Sequence, residues 1–214
     1  MSMRDLEIAV TENQDVVNQL IIDELKRKET EFQTFNKIPR LSRDCVITEK
    51  LDGTNAQILI TENKKLYAGS RNRWLIEDGI LVSDNYGFGG WVLQNKEELV
   101  EGLGIGRHFG EWWGAGIQRK YGLKEKRFSL FNTEKWLDDA VRPKCCHVVP
   151  LLYKGMFTTD RVDEWILTLS VEGSKAAPGF MNPEGVVVYH VAAGTYFKKT
   201  IKNDESPKGI INAG

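Results

Sequence analysis

The spacing of apolar positions along the chain changes character once, near residue 45. Before that point Val17, Leu20, Ile21 and Leu25 recur at helical intervals, with Phe32 continuing the series. This spacing lines one side of a helix, and it predicts an amphipathic helical segment over about 14–36. Lys37-Ile38-Pro39-Arg40 should break it, because proline cannot extend a helix. After that point the apolar runs shorten. Cys45-Val46-Ile47-Thr48-Glu49, Ala56-Gln57-Ile58-Leu59-Ile60 and Lys65-Leu66-Tyr67-Ala68-Gly69-Ser70 read as strands. Asp52-Gly53-Thr54-Asn55 supplies turn chemistry between the first two. Helical spacing returns near 91–102 and 160–170, and further strands are predicted at 128–131, 146–152, 185–190 and 196–201. Strands outnumber helices and do not alternate with them. The pattern therefore predicts an α+β fold with mostly antiparallel sheet, not a doubly wound one.

Composition narrows the class. The 214 residues show no internal repeat or low-complexity linker, so one domain over 1–214 is expected, with the helical segment at its start. Charged residues make up 28% and hydrophobic residues 41%, ordinary for a soluble globular protein. No stretch approaches the roughly 18 apolar residues of a membrane span, and no apolar core follows Met1-Ser2-Met3-Arg4-Asp5. A cytoplasmic, membrane-independent protein is expected. Cys45, Cys145 and Cys146 make a poor disulfide framework, and Cys145-Cys146-His147 has no second ligand pair for zinc, so the thiols are expected reduced and partly buried. A net charge of −1 argues against non-specific coating of nucleic acid. Arg71, Arg73, Arg107, Arg119, Lys120, Lys124, Lys126 and Arg127 nonetheless allow a local basic face.

Lys50-Leu51-Asp52-Gly53 is the first segment with candidate chemistry. A lysine ending a strand before a tight turn projects its amine into whatever cleft the sheet lines. An ordinary lysine is protonated at neutral pH and a poor nucleophile; desolvation or a nearby cation frees the lone pair. Alternation puts Asp52 on the same strand face as Lys50, where it would hold a metal-bound water. Taken alone, the tetrapeptide is also consistent with a surface lysine and a turn.

Other segments accompany it in order. Glu49-Lys50-Leu51-Asp52-Gly53-Thr54-Asn55 resembles motif I of the ATP-dependent ligase and capping-enzyme superfamily, and Thr54-Asn55 resembles its nick-sealing RNA ligase branch. Ser70-Arg71-Asn72-Arg73 resembles the arginine-bearing second motif. Phe109-Gly110-Glu111-Trp112-Trp113-Gly114 resembles motif III, and Phe128-Ser129-Leu130-Phe131-Asn132 the strand whose aromatic ring stacks on the purine. Pro183-Glu184-Gly185-Val186-Val187-Val188 resembles motif IV, and Phe197-Lys198-Lys199-Thr200 resembles motif V. The likeness runs from about Lys37 to about Lys202.

The resemblance implies an ATP-dependent RNA ligase built on a nucleotidyltransferase domain, the ATP-grasp-like adenylylation domain of DNA and RNA ligases, with antiparallel sheets flanked by helices. It implies that Lys50 becomes a lysyl-AMP, that Asp52, Glu111 and Lys198 assist, and that Glu184 ligates Mg²⁺ or Mn²⁺ with Asp52 and Glu111. The resemblance places Phe131 against adenine, with Phe128 the second choice; the two are three apart on a strand and face opposite ways, so only one can line the pocket. Glu49, Asn55, Arg71 and Lys199 are further expected nucleotide contacts. Asn55 and Arg71, with Arg119 and Lys120 from the basic loop after motif III, are expected RNA contacts. Motif V departs from the family at Thr200, where a second lysine is usual; Lys199 or Lys202 is left to fill that role. The expected partners are RNA ends in a nicked duplex or splinted strands, in RNA repair, with a monomer favoured. Because the chain ends soon after motif V, a minimal form without a C-terminal accessory domain is expected. A DNA ligase, a capping-type enzyme and a silent nucleic-acid-binding module are the alternatives.

Overall fold

The computed structural model describes residues 3–205. The chain divides into two units, residues up to Ile38 and residues from Pro39 onward. The first holds α1 (Met3–Thr30), which begins earlier and ends sooner than the spacing predicts; residues 31–36 are not helical. The Thr30 hydroxyl donates back to the Lys26 carbonyl, and Arg27 and Lys28 occupy the last turn, where cations suit the negative end of the helix dipole. Val17, Leu20, Ile21 and Leu25 are exposed.

The second unit runs β1 (Asp44–Lys50), β2 (Thr54–Ile60), β3 (Leu66–Ser70), β4 (Trp74–Glu77), β5 (Ile80–Leu81), α2 (Phe88–Gln94), α3 (Lys96–Leu103), β6 (Gly106–Gly114), β7 (Lys126–Leu130), α4 (Thr133–Trp136), β8 (His147–Val148), β9 (Leu151–Met156), α5 (Thr159–Glu172), β10 (Gly185–His190) and β11 (Thr195–Thr200). The small sheet has the order β11-β10-β1-β9, and the large one β5-β4-β3-β2-β6-β7-β8. Only β7 and β8 pair in parallel among the described strands. The predicted α+β class with antiparallel sheets holds.

Alternation assigns the faces. Ile58, Leu66, Leu75, Trp112 and Phe128 from the large sheet pack with Phe88, Val92 and Leu99 from α2 and α3. Ile47, Val186 and Val188 from the small sheet pack with Val162 and Leu169 of α5. A third cluster, Leu51, Trp113, Tyr121, Val149 and Ala177, fills the place where the chain passes between the sheets.

Two predicted elements divide. The helix expected over 91–102 is two helices, broken at Asn95, whose side-chain amide donates 2.8 Å to the Trp91 carbonyl. Such a side-chain bond to the preceding turn competes with helical bonding. The strand expected over 146–152 is two strands in different sheets, with Pro150, which lacks an N–H, at the switch. The first turn residues also resolve differently: β2 already begins at Thr54, leaving residues 51–53 to carry the chain from the small sheet to the large one. So short a joint needs a glycine. A Cβ on Gly53 would stand 2.3 Å from the Trp112 carbonyl oxygen.

Candidate active site

The joint at 51–53 places Lys50 at the end of β1, beside the start of β10, with Lys50 paired to Gly185. Glu184 immediately precedes that glycine. Lys50 Nζ donates to Glu184 Oε2 at 2.6 Å, and the side chains are 19% and 2% exposed. Gly185 permits this arrangement: a Cβ there would meet the Lys199 carbonyl at 2.1 Å, so any other residue would push β11 away.

Glu111 comes to the same place from β6 in the other sheet. It is buried, and its Oε1 accepts the Gly53 N–H at 3.0 Å. Burial pushes its carboxyl up to about 7, reinforced by the Glu184 and Asp52 carboxylates and opposed by the Lys50 ammonium and the Gly53 N–H. The folded state therefore holds a proton on Glu111 that the unfolded chain releases near 4.5. Since the folded state binds more protons between those values, this group's contribution to stability falls as pH rises from 4.5 to about 7. The corresponding expectation is a carboxyl ¹³C titration near 7 in the protein, absent in Glu111→Gln and shifted upward in Lys50→Met, which lacks the opposing charge. A midpoint near 4.5 would show that the carboxylate is solvated.

Asp52 departs from expectation. β1 ends at Lys50, so Asp52 lies in the joint, not on the strand face, and Arg119 Nε binds its Oδ2 at 2.9 Å. The Asp52 N–H donates to the Tyr121 hydroxyl oxygen at 2.8 Å. Arg119, expected to face RNA, is turned inward, and also donates to the Asn182 carbonyl at 3.1 Å. The physical reason lies in the loop after β6: Ile117 and Tyr121 are buried, and the Tyr121 ring packs between Trp113 and Phe180. Burial pushes the Tyr121 phenol up, so it stays protonated. Lys120 remains exposed.

Register separates the other expected residues. Asn55, Glu111 and Ser129 stand in one cross-strand row, and the Phe131 N–H bonds to the Phe109 carbonyl one step further on. Asn55, Glu111 and Phe131 thus share the face turned away from the α2–α3 core. Phe128 points into that core with 0% exposure, which removes it as a stacking ring; Phe131 is 36% exposed. Ser70 pairs with Ala56, which brings exposed Arg71 to the same end of the sheet as Asn55.

In the small sheet, Lys198 pairs with Val187, and Val187 with Thr48, so Lys198 shares the face of Lys50. Lys199 lies on the opposite face and is ion-paired with Asp163 of α5, so it does not reach the site. Lys202 Nζ lies 3.3 Å from the Asn182 side-chain oxygen, on the residue that also binds Arg119. Glu49 also faces away from Lys50. Its buried carboxylate accepts bonds from Ser174 Oγ at 2.5 Å and from the Lys175 and Ala176 N–H groups at 2.8 and 2.9 Å. Glu49 thereby anchors the loop leading to Asn182 and Glu184, and burial is the main cause of its raised carboxyl value. Tyr121, Ser174 and Asn182 were not singled out by sequence; isolated polar residues in loops carry no periodic signal.

Among the described residues no cluster of His, Cys, Asp or Glu forms a ready metal cage. Glu184, Glu111 and Asp52 offer oxygen donors alone, a set suited to a hard divalent cation held partly by substrate phosphates. No disulfide joins Cys45, Cys145 or Cys146, and no described helix is long and apolar enough to cross a membrane.

A family model described as RNA ligase matches residues 43–202. Solved structures of Naegleria gruberi RNA ligase variants share the fold. One with ATP and Mn is 18% identical, with a TM-score of 0.54, over 76% of this chain and 51% of that one. Another with ATP and Mn is 18% identical, with a TM-score of 0.54, over 80% and 58%. A third, with AMP and Mn, is 20% identical, with a TM-score of 0.52, over 74% and 49%. The chain thus spans about half the length of these proteins. No curated protein sequence matches it.

Proposed function

The chain belongs to the RNA ligase family, whose model covers most of it, and on that premise we propose that it joins RNA ends with ATP through a lysyl-AMP on Lys50. The observation that carries this reading is the convergence of Lys50, Glu184 and Glu111 from two sheets onto one site, with Lys50 and Glu184 at 2.6 Å.

In the first step the Lys50 ammonium gives a proton to solvent, and the resulting amine attacks the α-phosphorus of ATP. A P–N bond forms, the bond to the bridging oxygen breaks, and pyrophosphate leaves. An oxygen of a 5′-phosphate on RNA then attacks the same phosphorus and releases Lys50, giving an adenylylated end. A 3′-hydroxyl attacks the 5′-phosphate, the phosphodiester forms, and AMP leaves.

The chain's own groups serve these steps by placement. Phe131 offers its ring to adenine, while Phe128 supports the sheet from the core side. Lys198, on the face of Lys50, offsets charge on the α-phosphate; Lys202 is the better candidate for the second cation, since Lys199 is occupied by Asp163. Glu184, with Glu111, would hold Mg²⁺ or Mn²⁺ together with substrate phosphates, and Asp52 would join them only by leaving Arg119. That ion would supply charge against the phosphate oxygens and compete with the Lys50 ammonium for Glu184. Neighbouring RNA ligase structures with ATP or AMP and Mn support this choice. Asn55 and exposed Arg71, at one end of the large sheet, would contact the incoming RNA end.

A joining assay with 5′-phosphate and 3′-hydroxyl RNA tests the reading. Lys198→Ala is expected to lower sealing by about 10²-fold or more, the scale for losing a charge-stabilising contact, and Lys199→Ala to leave it within about twofold. Equal losses would show that the face assignment does not govern catalysis. Faster sealing with GTP, or of DNA ends alone, would favour the capping-type or DNA ligase reading. RNA binding with no AMP transfer would favour the silent module.

A further inference from the structure

An open groove of about 520 Å³ lies on the helix side of the large sheet, and Gly90, Trp91, Trp112, Lys124 and Lys126 are among the residues that line it. It adjoins the joint that carries Lys50. Thr54 pairs with Trp112, and the Asn85 amide donates to the Thr54 hydroxyl at 3.0 Å.

Its chemistry is one-sided. No carboxylate lines it. Glu125, between the two lysines in sequence, is engaged by Arg127 instead. Lys126 Nζ donates to the Tyr86 carbonyl at 2.7 Å, which fixes its ammonium at the rim, while Lys124 is exposed. Trp91 is half-buried and stacks on Phe88 at 5.8 Å with planes 18° apart, so the aromatic wall is backed by the core.

Gly90 supplies an independent observation. It lies inside α2, where glycine weakens a helix relative to alanine. Packing does not demand it, since an added Cβ would meet nothing within 4 Å. Its neighbour Gly89 is different: a Cβ there would meet Leu81 Cδ1 at 2.5 Å. A bare helix surface next to the ammonium groups of Lys124 and Lys126 admits close approach by a bulky anionic chain.

We propose that this groove, on the opposite face of the large sheet from Glu111 and Phe131, holds the RNA backbone beyond the reacting end, with phosphates against Lys124 and Lys126 and a base or sugar against Trp91. The proposal rests on the RNA-joining reading and adds a place for the strand. Lysine contacts to phosphate release counterions, and each contributes roughly 0.7–0.9 to the slope of log affinity against log salt.

The test uses a labelled nicked RNA duplex, with affinity measured across a salt series without ATP, and AMP attachment measured separately. Lys124→Ala combined with Lys126→Gln, which keeps a donor for the Tyr86 carbonyl, should weaken binding about tenfold at low salt and flatten the slope by roughly 1.4–1.8. Gly90→Ala should leave the melting temperature equal or higher yet weaken RNA binding several-fold, an outcome that a folding defect cannot produce. AMP attachment should be unchanged in each. Wild-type affinity and slope in these variants, or no RNA binding by the wild type, would overturn the proposal. Failure of AMP attachment in the wild type would count against the joining reading alone.

Discussion

Lys50→Met is expected to lower AMP capture from ATP by at least about 10⁴-fold, the scale of losing a covalent nucleophile. No neighbour can replace it: Lys198 is exposed on a strand two positions across the sheet, and Lys199 faces α5. The change also deprives the buried Glu184 carboxylate of a partner at 2.6 Å. Breaking a buried pair from one side costs up to about 3–5 kcal/mol, and the partial exposure of Lys50 reduces that figure. Adding Glu184→Gln to Lys50→Met should therefore recover stability without recovering AMP capture. Measured melting temperatures and radiolabelled AMP transfer check the two parts separately. AMP transfer in either variant would move the nucleophile elsewhere.

Gly53→Ala is expected to disable the site without touching a charged group. Its new Cβ would stand 2.3 Å from the Trp112 carbonyl and 2.7 Å from Trp113 Cβ, both on β6. Backbone cannot swing aside as a side chain can, so the joint must move away from the strand. Overpacking of this kind costs about 1–3 kcal/mol. The functional loss should be larger, because the Gly53 N–H holds Glu111 and the joint fixes Lys50; a shift near ~1 Å in such positions costs about 10²-fold. Denaturant unfolding and the AMP-transfer rate together check this. A variant with full activity would mean that the joint tolerates the displacement.

The regular strands were legible because alternation is a local property. Residues 45–49, 56–60 and 185–190 announce themselves through apolar side chains that the two sheets bury. β6 was harder to read: its Gly-Arg-His-Phe-Gly-Glu-Trp-Trp-Gly sequence hides the period, because Glu111 and the tryptophans are all buried. The order of motifs named Lys50, Glu111 and Glu184, and the structure brings them together. What sequence could not supply was the direction of side chains outside regular strands. Asp52 lies beyond the end of β1 and is gripped by Arg119, a residue expected to contact RNA because its loop is polar and basic. The loop turns inward through backbone conformations that its residue types do not advertise: Gln118, Lys120 and Tyr121 all have positive φ. Once the register was known, strand parity put the two lysines of motif V on opposite faces, and it set Phe128 apart from Phe131. The helix ending at Thr30 fell short of its predicted end because spacing alone extended it through Phe32, while the chain is already irregular there.

The most direct test of the central claim is the intact mass of the protein, first stripped with pyrophosphate, before and after incubation with ATP and Mg²⁺ or Mn²⁺, beside Lys50→Met. A gain of one AMP is expected on the wild type, reversed by added pyrophosphate and absent in the variant. No gain on the stripped wild type, or the same gain on Lys50→Met, would contradict the claim.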